Sequence, residues 1–101
     1  MEDIKIAKEF KKKVQKVYPE AEIYFYGSRV KRTHREDSDY DLLVLLEDVT
    51  PARRKTIYDI AWETGYKYNV LLAPVLSRRD NFYPSTASPF LNNVKKHGMA
   101  L

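Results

Sequence analysis

Cysteine is absent from the 101-residue chain, which excludes a disulfide framework and any zinc–thiolate site and suits a reducing compartment. Long apolar runs are absent too, since none approaches the roughly 18 residues needed to cross a bilayer. The start, Met1-Glu2-Asp3-Ile4-Lys5, is charged and has no apolar core of the kind a secretory signal requires. A cytoplasmic protein with no membrane association is therefore expected. Repeats, linkers and low-complexity tracts are also missing.

What is present is a globular composition. Hydrophobic residues make up 44%, which permits a packed core, and the length suits one domain spanning residues 1–101. So small a domain buries only about two-thirds of its unfolded surface, so a partner or a homo-oligomeric contact would add useful margin. The net charge of +4, from 18 Lys+Arg against 14 Asp+Glu, favours anionic ligands such as nucleotides or nucleic acid. A solvated basic surface would give the same figure, so charge alone does not choose.

Periodicity gives the order of elements. Ile4, Ala7, Phe10, Val14 and Val17 recur at three- and four-residue steps, one face of an amphipathic helix that Pro19 ends. Ala21–Tyr26 reads as a strand running into Gly27. Residues 28–38 are polar and basic. Asp41–Leu46 is a nearly unbroken apolar run, as in a strand covered on both faces. Thr50-Pro51 opens a helix that should carry Ile57, Ile60 and Ala61 inward and stop near Gly65. Val70–Leu76 reads as a third strand, and Ser77–Asp80 has the pattern of a helix-capping box. Ser88-Pro89 opens a last helix through Leu91 and Val94, with Gly98 beyond its end. The fold class is α/β (α+β), a small mixed sheet of three or more strands with helices mainly on one face.

The chemistry is concentrated between Tyr26 and Leu45. A strand delivers Gly27-Ser28, and a second strand opens on Asp39-Tyr40-Asp41. Side chains two apart on a strand share a side, so the two carboxylates should converge while Tyr40 turns into the core. Such a pair repels itself unless a cation or proton intervenes. Magnesium takes oxygen ligands and is commonly held by one or two carboxylates plus substrate phosphates. Glycine lets backbone approach an anion closely, Ser28 adds a hydroxyl donor, and Arg29, Lys31, Arg32 and Arg35 carry charge to neutralise phosphate. Gly-Ser alone is an ordinary turn, and Asp-x-Asp alone can be cap chemistry. Joined across a polar spacer, with the acids entering an apolar strand where bare charge is costly, they point to a nucleoside triphosphate site.

Tyr26-Gly27-Ser28 and Asp39-Tyr40-Asp41-Leu42, with Ser38 before the first acid, resemble the motif of the DNA polymerase β-like nucleotidyltransferase superfamily. The likeness is closest to the minimal nucleotidyltransferases often paired with HEPN-domain proteins. That resemblance implies the palm-like fold of the superfamily. It makes Asp39 and Asp41 both metal ligands and catalytic residues, with Gly27, Ser28 and Arg29 as the nucleotide- and phosphate-binding residues. The implied cofactor is Mg2+ or Mn2+, and the implied substrate a nucleoside triphosphate. Two metals would then serve an in-line displacement. The implied reaction transfers a nucleoside monophosphate, AMP from ATP, to a protein or nucleic-acid end, with a HEPN-domain protein as partner in a toxin–antitoxin pair. The chain departs from the family at Arg32, where glycine is usual. It also lacks the third carboxylate of the next strand, where Asn69 is the nearest polar residue. A catalytically weakened module that neutralises a HEPN protein by binding is the alternative.

The remaining side chains suggest less. His34 and His97 share no ligand spacing, Tyr58 and Trp62 are expected to pack in or beside the core, and the eight tyrosines come without an RNA-binding signature.

Overall fold

The computed structural model describes residues 2–31 and 39–101. The first helix, α1 (Glu2–Val17), buries Ala7, Phe10 and Val14 of the expected stripe, with Ile6 in the core beside them and Ile4 only partly buried. Val17 lies exposed at its end. Strand β1 (Glu22–Tyr26) leads through Gly27 into a single turn of helix, α2 (Ser28–Lys31). Strand β2 (Tyr40–Leu46) is buried at every position but Asp41. Helix α3 (Pro51–Tyr68), strand β3 (Leu72–Arg78), a short 3-10 turn at Arg79–Asn81, helix α4 (Pro89–His97) and a two-residue strand, β4 (Met99–Ala100), complete the order.

The sheet runs β3-β2-β1-β4. β1 is antiparallel to both neighbours, and β3 lies parallel to β2, which requires the crossover that α3 supplies. The sheet is mixed, as expected, and gains a fourth strand too short to be read from sequence. The period of two divides β1 and β2 between two cores. Ile23, Phe25, Tyr40, Leu42, Val44 and Leu46 pack under α1 and α3. On the other face Leu43 and Leu45 meet Phe82, Leu91 and Val94, with Tyr24 and Tyr26 against them. The two long helices thus share one face and the shorter α4 covers part of the other. Among the described residues, no helix is long and apolar enough to cross a membrane.

Both proline-led helices begin where their caps require. Thr50 Oγ1 accepts from the Arg53 amide at 3.1 Å, and Ser88 Oγ accepts from the Leu91 amide at 3.2 Å, each satisfying a donor that the first helical turn leaves open. The end of α3 differs from expectation. Gly65 does not terminate it; it sits buried inside the helix because a Cβ there would come within 2.5 Å of the Val70 carbonyl oxygen. The actual cap is Asn69, in the left-handed region at φ 55°, and the Val70 amide returns to the Gly65 carbonyl at 3.0 Å. Residues 69 and 70 are therefore used in leaving the helix, and β3 starts at Leu72 rather than Val70. The box-like Ser77–Asp80 opens only the 3-10 turn, with no side-chain cap bond.

Tyr58 and Trp62 are not core residues. They form an outward stripe with Tyr66, and Trp62 and Tyr66 stack on each other at 5.3 Å while 67% and 77% exposed.

Candidate active site

The site grows from one tight contact between β1 and β2. Their antiparallel register sets Tyr26 opposite Asp41, so the residue after Tyr26 must pass beside the Asp41 carboxylate. That residue is Gly27, at φ +90°, a conformation L side chains rarely adopt. A Cβ there would stand 2.3 Å from Asp41 Oδ2. The glycine is needed twice, for the turn and for the approach. Ser28 follows at once as the first residue of α2 and is half-buried.

Asp41 lies on the face of Leu43 and Leu45, partly buried at the mouth of an otherwise apolar strand. Burial raises its carboxyl above the ordinary aspartate range, and the charge of nearby Asp39 raises it further. Asp39, exposed, stands just before the strand begins. The same burial, with the charge of Asp41, pushes the Tyr26 hydroxyl up to about 12. The two acids form a centre of like charge in which burial and Asp39 both disfavour the ionised form of Asp41. A hard cation with oxygen-ligand chemistry relieves that condition, so the donor set fits magnesium or manganese. Among the described residues, no group of three or more His, Cys, Asp or Glu side chains is placed to hold a metal.

Arg29 makes contacts that the sequence did not suggest. It is 5% exposed, its guanidinium pairs with Asp3 at 3.2 Å and covers the Tyr40 ring at 4.1 Å, and the Tyr40 hydroxyl donates to the same Asp3 at 2.7 Å. Tyr40 belongs to the core beneath α1, on the face opposite Asp41. Arg29 thus ties the start of α1 to the turn and to β2. Two separate signals, an acid in the first turn of α1 and an aromatic between the two aspartates, are what a charged anchor needs, but only the fold brings them together.

Asn69 is not beside the acids on a strand; it caps α3. The position level with Asp41 on β3 is Ala73, and paired residues of neighbouring strands share a face. Arg32, His34, Arg35 and Ser38 lie outside the described residues.

A Gly-Ser turn pressed on an Asp-x-Asp strand, on a mixed sheet backed by α1 and α3, defines the class of protein. Residues 4–97 match the family model of the nucleotidyltransferase domain, and the chain belongs to that family. Among its relatives is a Methanocaldococcus jannaschii protein named "Putative protein adenylyltransferase", 28% identical over 102 residues that span 98% of each chain. No solved structure matches.

Proposed function

We propose that this nucleotidyltransferase domain moves AMP from ATP to a protein side chain, using magnesium or manganese held by Asp39 and Asp41. The observation that carries the reading is the carboxylate pair, with Asp41 pressed against the Gly27 turn where a Cβ would collide with it and with its carboxyl raised by burial and by Asp39. When bound, the metal would supply the positive charge that lets phosphate oxygens sit beside two carboxylates. Gly27 leaves the backbone open to close approach, and Ser28 offers a hydroxyl donor to the triphosphate. Asp41 is held in place by the sheet, with Tyr40 and Arg29 fixing the strand from behind. In the reaction an acceptor oxygen bonds to the α-phosphorus, the bond from that phosphorus to the bridging oxygen breaks, pyrophosphate departs and the acceptor proton is lost to solvent.

A protein acceptor is supported by the relative's name and by the near-complete overlap of the two chains. The partner we propose is a HEPN-domain protein, on the strength of the motif resemblance. Ala73 in the register of Asp41 favours a second reading, a weakened domain that neutralises the same partner by binding.

The test is incubation of the chain, magnesium and a HEPN partner with ATP labelled at either the α- or the γ-phosphate. Label on the partner from α but not γ, lost in Asp41→Asn, is the expected result. Label from the γ-phosphate would make the protein a kinase. Complex formation without label from either would select the binding reading.

A further inference from the structure

Helix α4 turns Leu91 and Val94 into the second core, yet Phe90, one residue earlier, stays outside with 42% of its surface exposed. Its ring meets the half-buried Tyr26 ring edge to face at 5.4 Å. Tyr26 in turn is the register partner of Asp41 and precedes Gly27 directly. Carboxylate, tyrosine and phenylalanine therefore follow one another across a single face of the sheet, and the last of them presents an open aromatic surface. A nucleotide has the same succession: phosphate, sugar, base. A ligand whose phosphates lie at Asp41 and Gly27 would carry its ribose past Tyr26 and bring its base to Phe90.

We infer that Phe90, braced by Tyr26, is the stacking platform for the nucleobase. Every base has a π-face, and stacking on an aromatic side chain holds it without base-specific hydrogen bonds. Phe90 is fixed for that task, since Pro89 and the Ser88 cap set the start of α4 and the neighbouring Leu91 anchors the helix in the core. The core does not need Phe90, because Phe82, Leu91 and Val94 already cover Leu43 and Leu45. Phe90 is thus a binding residue that acts on the base and leaves the phosphates untouched.

This inference rests on the phosphate site proposed above, and the test separates the two. Affinities of the full chain for ATP and for inorganic tripolyphosphate, each with excess magnesium, are measured by calorimetry for wild type, Phe90→Ala and Phe90→Tyr. The platform predicts that wild type binds ATP more tightly than tripolyphosphate. It also predicts that Phe90→Ala weakens ATP alone by about tenfold, the scale of a lost base–aromatic stack, and that Phe90→Tyr restores it. Equal loss for both ligands in Phe90→Ala, or no loss for either, overturns the platform while leaving the phosphate site standing. Failure of wild type to bind either ligand overturns both.

Discussion

At Gly27 the chain has no freedom to change. Alanine must adopt a positive φ, at about 1–2 kcal/mol, and must displace Asp41 Oδ2 from 2.3 Å. Gly27→Ala is therefore expected to lower the melting temperature by about 4–8 °C per kcal/mol in a domain of this size and to weaken magnesium–nucleotide binding, both readable by thermal melts and calorimetry. Asp41 behaves in the opposite sense. Its folded-state pKa lies above the unfolded one, so its contribution to stability is complete below the ordinary carboxylate range and is lost as pH rises through the raised value. At neutral pH without metal, Asp41→Asn should melt higher than wild type, and the gap should close in acid. Added magnesium should then raise the wild type and leave the variant unmoved. The contact of Gly27 with Asp41 was legible because residue type and spacing alone suggest a tight turn beside that strand. Arg29 was not, since its fate depends on Asp3 and Tyr40, residues 26 and 11 positions away that only the folded chain assembles.

Between elements, the α1–α3 contact is fastened by Glu9, which accepts from the Tyr68 hydroxyl and pairs with Lys67 at 3.2 Å. The Tyr68 hydrogen bond chiefly, with Lys67 and Lys13, holds the Glu9 carboxyl down to about 2 from 4.5. A depressed acid stabilises above its unfolded pKa and ceases to do so as pH falls through the folded one. Glu9→Gln is expected to cost about 0.5–1 kcal/mol at neutral pH, with the difference from wild type fading between pH 4.5 and about 2 in denaturation curves. The strands and helices with clean periods or proline-led caps were readable, because period and cap are local properties. The end of α3 was not: Gly65 looks like a stop but answers to the Val70 carbonyl, a packing demand invisible in the local pattern. That misreading shifted β3 by two residues and set Asn69 in the place of a third acid. With the register corrected, the informative change is Ala73→Asp. A carboxylate there would flank Asp41, and if the missing acid limits proton removal from the acceptor, transfer should quicken by tenfold or more, measured as initial rate. Asn69→Asp should leave that rate unaltered.

For the molecule as a whole, one sheet serves two purposes. The face under α1 and α3 supplies the larger core, and the opposite face is packed by α4 with Asp41 only partly buried at its end. The approach of the Gly27 turn to Asp41 was readable, because a strand running into Gly-Ser and another opening on Asp-x-Asp are local patterns. No such pattern warned that Tyr58, Trp62 and Tyr66 would stand outward on α3, since aromatic residues on a helix are as readily core as surface and Ile57, Ala61, Thr64 and Gly65 had already filled the inner face. The central claim is that the two aspartates together hold a metal for a nucleotide, and titration of Mn2+ in the presence of ATP tests it most directly. Asp39→Ala and Asp41→Ala should each weaken the metal by tenfold or more while melting no lower than wild type in metal-free buffer. Metal affinity unchanged in both variants would contradict the account.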